Sequence, residues 1–114
     1  MFKSMISYIR SIFISPEISA QEVPRSPHWG TIRAEHLKIE PTCAACGGSE
    51  GLQVHHCLPF HLDPSKELDQ GNLITLCEER NCHYIFGHLY NWHSYNQNVR
   101  EDAAAMLKKV KERP

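Results

Sequence analysis

Two closely spaced pairs of cysteines constrain this chain more than any other feature. Two residues lie between Cys43 and Cys46, four lie between Cys77 and Cys82, and about thirty residues separate the pairs. Four thiolates can surround one tetrahedral zinc ion, and a C-x-x-C turn followed by glycines supplies two of them from one knuckle. We therefore predict a structural zinc site at these four residues. A redox-active C-x-x-C and buried thiols without metal are the alternatives.

The cysteine and histidine content favours metal binding over disulfides. The 114 residues include five cysteines and eight histidines, most of them between Cys43 and His93. An odd number of cysteines argues against a simple disulfide framework. The fifth, Cys57, falls at an apolar strand position, so we expect it to fill the core. Metal-bound thiolates indicate a reducing compartment, and we expect a cytoplasmic protein.

Length and charge limit what the chain can do. A chain of 114 residues has room for one small domain with short flanking elements. Its net charge of −1 excludes a strong overall positive field. Any contact with nucleic acid must therefore come from a local basic surface. The lysines near the C-terminus are the best candidates for contacting phosphate, namely Lys108, Lys109 and Lys111.

Periodicity and turn residues predict a small α+β domain. Ser26-Pro27 is a typical helix start, and Pro41 ends that helix. Residues 52–58 alternate as a strand, residues 72–76 form a second apolar strand, and residues 77–92 read as a short helix. Asn98 is predicted to cap a C-terminal helix over 98–112. The apolar face of that helix is Val99, Ala103, Met106, Leu107 and Val110. The aromatic residues Tyr84, Phe86, Tyr90, Trp92 and Tyr95 are expected in the core, with a platform for stacking bases as the alternative.

Residues 1–25 are predicted to be an N-terminal amphipathic helix and a linker outside the main domain at 26–114. The apolar run near the start is too short to span a bilayer and contains Arg10. A secretory signal is disfavoured because Pro16 and Glu17 adjoin that run. We expect this helix to pack on the domain or on a second subunit, with a membrane-surface anchor as the alternative.

Three segments carry a family resemblance. They are Val54-His55-His56-Cys57-Leu58-Pro59, then Asn72-Leu73-Ile74-Thr75-Leu76-Cys77, then Cys82-His83. In this order and spacing they resemble the HNH endonucleases, in the branch whose catalytic unit is held by four cysteines and zinc. That pattern has an aspartate or histidine followed by a histidine, then Asn-Leu before Leu-Cys, then Cys-His. The resemblance covers roughly residues 41–93.

The resemblance implies a role for each matching residue. His56 matches the general base that deprotonates the attacking water. His55 stands where the family usually has an aspartate that binds the catalytic metal, and His83 matches a second ligand of that metal. Asn72 matches the residue that fixes the loop around the base. His88 lies near His83 and is a further candidate ligand or phosphate contact.

The chemistry of phosphodiester hydrolysis agrees with these roles. Histidine has an unperturbed pKa suited to activating water near neutral pH, and a divalent cation stabilises the charge that develops on phosphate. Neighbouring residues on a straight strand face opposite ways, so His55 and His56 can serve one site only if the chain bends near Pro59. Histidine in place of aspartate favours Mn, Ni, Co or Zn over Mg.

We therefore expect a small ββα-metal (HNH, His-Me finger) domain with zinc knuckles and flanking helices, with its core at 41–93. The resemblance implies a metal-dependent endonuclease that hydrolyses DNA phosphodiester bonds with low intrinsic sequence specificity. Its cofactors would be a structural zinc and a catalytic Mg, Mn, Ni, Co or Zn ion. No membrane span is expected, and the sequence does not set an oligomeric state. The alternative is a non-catalytic, zinc-binding nucleic-acid module.

Overall fold

A computed structural model describes residues 23–114 of the chain. In chain order it contains helix α1 (Trp29–Ile39), strand β1 (Leu52–His56), strand β2 (Leu73–Cys77), a π-helical turn (His83–Gly87) and helix α2 (Val99–Lys111). The predicted α+β class is confirmed, whereas assignment to the ββα-metal fold stays a prediction. The predicted N-terminal helix lies outside the described residues. Within residues 23–114, no helix is long and apolar enough to cross a membrane.

The two strands form one antiparallel sheet in which Leu52 pairs with Cys77 and His56 pairs with Leu73. Strand β1 ends two residues before the predicted position. The physical reason is that the Leu58 amide donates to the Asn72 side chain (2.8 Å) and not to a backbone carbonyl of β2. The backbone ladder therefore stops and the chain turns away toward Pro59.

Every residue of β2 is buried, which makes this strand the centre of the domain. Ile74 and Leu76 belong to a core cluster with the first residues of α2, Val99 and Ala103. Helix α1 also packs on β2 through Glu40, which directly follows the helix. The Thr75 amide donates to the Glu40 carboxylate (2.6 Å), and the Thr75 hydroxyl donates to the Glu40 backbone carbonyl (2.8 Å). The strand is thus enclosed between helical segments.

Both long helices match the predicted segments, but their first turns differ. Helix α1 begins at Trp29, and the Ser26 hydroxyl accepts the His28 amide (3.0 Å) in the turn before it. Asn98 occupies the cap position of α2 without a side-chain capping bond, so the prediction that it caps the helix is wrong. The Asn96 side chain accepts the Asn98 amide (2.9 Å) and donates to Asp102 (2.8 Å) instead.

The segment after β2 departs most from the prediction. A short helix was expected over 77–92, but helical structure is confined to the turn around His83–Gly87. Asn81 has a left-handed backbone with φ of 63°, which reverses the chain before that turn. Leu89 and Tyr90 also have positive φ and end it. These reversals, which helical periodicity does not reveal, hold the turn to a single winding.

Candidate metal centres

The four predicted cysteines converge at one end of the sheet. The sulfur atoms of Cys43, Cys46, Cys77 and Cys82 all lie within 4.8 Å of one another, and those of Cys46 and Cys77 are 3.6 Å apart. Metal–sulfur bonds of about 2.3 Å in a tetrahedron place the sulfurs about 3.8 Å apart. The cluster could therefore hold one metal ion.

Backbone amides point at these sulfurs. The amides of Cys46, Gly48 and Arg80 donate to the sulfurs of Cys43 (3.5 Å), Cys46 (3.4 Å) and Cys77 (3.4 Å), respectively. Burial acts to raise the pKa of the Cys46 thiol, but the Gly48 amide and the Arg80 guanidinium outweigh it and lower that pKa to about 7. Such donors stabilise thiolate, the form that binds metal.

All five cysteines are free, as expected for a chain without a disulfide framework. Cys57 lies outside the cluster and packs, half-buried, against the core. Burial raises the pKa of its thiol, so Cys57 stays protonated at neutral pH.

A second cluster consists of His55 from β1 and of His83 and His88 at the two ends of the π-helical turn. His83 Nε2 lies 3.1 Å from His55 Nδ1 and 3.2 Å from His88 Nε2. Nitrogen ligands bound at about 2.1 Å in a tetrahedron are about 3.4 Å apart. The three imidazoles therefore fit a divalent cation, and His88 belongs to the cluster on the same footing as His55 and His83.

The π-helical turn explains how His83 and His88 come together. Residues five apart lie on one face of a π-helix, whose backbone bonds join residues i and i+5. In an α-helix the matching partner of His83 would be Gly87, four residues on. The local winding therefore decides which histidine joins the cluster.

The outer nitrogens of two of these rings are already engaged. His88 Nδ1 lies 2.7 Å from the Ser94 carbonyl, and His83 Nδ1 lies 3.1 Å from the Glu78 carboxylate. Both partners can only accept, so both Nδ1 atoms carry the hydrogen and both Nε2 atoms present bare lone pairs. Two lone pairs 3.2 Å apart repel each other unless a proton or a metal ion lies between them. Carboxylate and carbonyl partners of this kind orient the histidine ligands of metal sites.

His55 is the most deeply buried of the three, with 4% of its surface exposed. Burial is the main cause that lowers its pKa to about 3, and the nearby His83 and His88 rings add to this effect, so the ring is neutral at physiological pH. Its Nε2 atom has no hydrogen-bond partner within residues 23–114. Leaving a buried nitrogen unpaired costs about 1–3 kcal/mol.

Gly87 allows the His55 ring to approach the π-helical turn. A Cβ atom at this position would lie 3.0 Å from His55 Cε1 and 3.1 Å from both His55 Nδ1 and His83 Cδ2. We therefore expect Gly87→Ala to push these rings apart and to weaken metal binding at the histidine cluster about 10- to 100-fold. Titration calorimetry with a divalent ion on the protein with its cysteine site filled measures this.

Gly30→Ala is the matched control for Gly87→Ala, because a Cβ at Gly30 meets no atom within 4 Å. It should leave metal affinity unchanged and slightly stabilise α1. Equal affinities for the two variants would show that the three histidines are not a metal site.

His56 lies outside the histidine cluster, on the other face of β1. Its Nε2 is 3.0 Å from the Glu67 carbonyl, and its ring packs on Trp29 with centroids 4.7 Å apart. A carbonyl only accepts, so Nε2 carries the hydrogen and Nδ1 is free to take a proton. Burial lowers the pKa of His56, which keeps the ring neutral at neutral pH.

His56 and the cluster nevertheless border one open cleft of about 380 Å³, whose lining includes His55, His61, His83 and His88. Pro59 and Phe60, which follow the end of β1, also line it. The expected bend near Pro59 is present, and it lets neighbouring residues on opposite strand faces reach the same cleft.

Asn72 ties down the loop after β1. Its side chain accepts the Leu58 amide (2.8 Å) and donates to the carbonyls of Leu58 (3.0 Å) and Lys66 (3.3 Å). The amide group thus binds both ends of the segment that carries Pro59 and His61. This contact holds loop geometry beside His56, which is what the family resemblance implies for Asn72.

Two glutamates that the sequence did not single out position the site. Glu78 orients His83, and the buried Glu67 carboxylate accepts from Arg25 Nε (2.8 Å) and from the Ser26 amide (3.0 Å) while its carbonyl orients His56. Neither glutamate belongs to a sequence motif, so spacing alone could not identify them. The only signal for Glu78 is that it directly follows the ligand Cys77.

Some of the basic side chains of α2 already have partners within the domain. Lys108 pairs with Glu112 at 2.9 Å on the exposed face of α2, and Arg100 donates to the carbonyls of Gly71 (2.6 Å) and Leu73 (3.0 Å). Lys109 and Lys111 are exposed near the end of α2. A role for Lys108, Lys109 and Lys111 in binding DNA stays a prediction.

Comparison with known proteins identifies no relative: no family model, curated protein or solved structure matches the chain.

Proposed function

We propose that this protein is a metal-dependent endonuclease of the HNH type. The observation that carries the proposal is the convergence of three imidazoles, from His55, His83 and His88, on a cleft that His56 also lines. A cation site beside a histidine with a free, neutral nitrogen is the minimum that phosphodiester hydrolysis needs. The cysteine cluster supports the fold and takes no part in the chemistry.

The chain's own groups have separate tasks in this reaction. His56 accepts the proton of the attacking water at Nδ1, while the Glu67 carbonyl holds Nε2–H and keeps the ring in the correct tautomer. Asn72 keeps the loop next to His56 in place. His55, His83 and His88 would hold the divalent ion, which supplies positive charge to stabilise the phosphate as negative charge develops on it.

The ligand set predicts which ions support activity. Imidazole suits Zn, Ni and Co, whereas Mg prefers carboxylate and water oxygens. The HNH pattern usually has an aspartate where this chain has His55. We therefore expect DNA cutting to be faster with Ni, Co, Mn or Zn than with Mg.

A plasmid-nicking assay tests the proposal. The purified full chain, with its cysteine site filled, is supplied with each ion in turn, and EDTA is the control. Nicking that needs an ion and prefers Ni, Co, Mn or Zn supports it. Faster nicking with Mg would contradict the assignment of the ion to three histidines. No nicking with any ion would instead favour the non-catalytic nucleic-acid-binding module.

A further inference from the structure

Three aromatic rings extend outward from the histidine cluster. Trp92 packs on His88 with ring centroids 4.8 Å apart and on His83 at 5.3 Å. Tyr84 packs on Trp92 at 4.9 Å, and Tyr90 packs on Tyr84 at 5.7 Å. We call Tyr84, Tyr90 and Trp92 the aromatic ledge. It is a continuous row of rings that starts at two proposed metal ligands.

The rings at the two ends of the ledge are exposed to solvent. Tyr90 has 65% of its surface exposed and Trp92 has 54%, so the prediction that they fill the core is wrong. Large aromatic surfaces are usually buried, because their transfer from water is favourable. Two exposed rings that both pack on Tyr84, beside a candidate active site, indicate a binding surface.

The backbone holds Tyr90 in this exposed position at a cost. Leu89 and Tyr90 have φ angles of 55° and 68°, a left-handed conformation that bulky residues rarely adopt. The turn is tied by two hydrogen bonds: the Tyr84 hydroxyl donates to the Tyr90 carbonyl (2.5 Å) and the Tyr90 amide donates to the Tyr84 carbonyl (3.1 Å). The ring is therefore presented by a fixed turn.

Charge favours base stacking over backbone attraction as the means of binding. The chain has a net charge of −1. Three guanidinium groups already interact within the protein: that of Arg25 with Glu67, that of Arg80 with Cys46, and that of Arg100 with backbone carbonyls. Binding to duplex DNA rests mainly on cationic side chains that neutralise phosphates. Aromatic rings add affinity only where bases are free to stack on them, which means in single-stranded nucleic acid.

We propose that the aromatic ledge stacks the unpaired bases of single-stranded DNA, so that single-stranded or locally unpaired DNA is the substrate bound beside the cleft. This proposal rests on the proposed nuclease function for its choice of DNA. Tyr90 and Trp92 receive bases, and Tyr84 supports both rings from below. The phosphate next to a stacked base then lies near the histidine cluster, with which Trp92 is in contact.

Equilibrium binding tests the ledge separately from cleavage. The full-length, metal-loaded His56→Ala protein, in which cutting is suppressed, is titrated into a fluorescein-labelled oligonucleotide, and anisotropy is measured. The same sequence is offered as a single strand and as a duplex. We expect the single strand to bind more tightly, and Tyr90→Ala to weaken its binding about 5- to 150-fold, the range for one stacked base.

Tyr90→Phe is the matched variant, because it keeps the ring and removes only the hydroxyl. It should bind like the parent, and circular dichroism should show that both Tyr90 variants are folded. Duplex bound as tightly as single strand, or unchanged binding in Tyr90→Ala, overturns the proposal. If no ion supports cutting but Tyr90-dependent binding of single strands is found, the ledge stands and the nuclease assignment fails. If the wild-type protein cuts DNA but Tyr90→Ala binds the single strand normally, the nuclease assignment stands and the proposal for the ledge fails.

Discussion

Replacing Cys77 with alanine should unfold the domain. Its sulfur is one of four that converge within 4.8 Å, and the residue is 1% exposed at the end of the central strand. Structural zinc sites contribute about 10–16 kcal/mol in small domains, which matches or exceeds the usual net stability of about 5–15 kcal/mol. Thermal unfolding by circular dichroism, together with metal content by mass spectrometry, measures the loss.

The control for Cys77→Ala is Cys57→Ala. Cys57 is half-buried against the same core but lies outside the cluster, so its replacement costs only packing, about 1 kcal/mol. That variant should keep its metal and melt a few degrees lower. If the two variants lost stability equally, the four cysteines would be core residues and not a metal site.

Loss of the cysteine site should also disorganise the histidine cluster. Cys82 directly precedes His83 at the start of the π-helical turn, and Cys77 directly precedes Glu78, which orients His83. A metal at the cysteines thus fixes the residue directly before His83 and the residue directly before Glu78. We expect Cys77→Ala to lose ion binding at the three histidines as well, although none of them is altered.

Replacing His56 with alanine should lower the rate of DNA cleavage about 10²- to 10⁴-fold, the usual contribution of a general base. Metal binding should be unchanged, because His56 lies on the opposite face of β1 from the cluster and points toward Glu67. Single-turnover cleavage, with metal stoichiometry measured on the same samples, separates loss of the base from loss of the ion.

His28→Ala is the comparison for His56→Ala, since His28 is an exposed histidine at the start of α1. It should cut like the wild-type protein. Undiminished cutting by His56→Ala would show that another group accepts the proton, and His61, which lines the same cleft, would be the next residue to replace.

The sequence by itself predicted the features that depend on local chemistry. The spacing of Cys43, Cys46, Cys77 and Cys82 predicted their cluster, because one metal site requires four thiols and the chain has two suitable pairs. Alternation and apolar runs predicted β1 and β2 to within two residues, since a two-residue period directly reports a strand. The length of α2 followed from its apolar face and its charged ends.

Tertiary structure alone decided the features that depend on backbone winding and on contacts between distant segments. His88 enters the histidine cluster because the turn from His83 is π-helical, and residue periodicity cannot distinguish that winding from an α-helix. The tautomer of His56 is set by the backbone carbonyl of Glu67, eleven residues away. Every residue type has a backbone carbonyl, so the sequence gives no signal for this contact. The exposure of Tyr90 and Trp92 follows from left-handed residues that composition does not reveal. The sequence therefore shows which side chains are able to bind a metal ion. The folded backbone decides which of them lie close enough together to form a site.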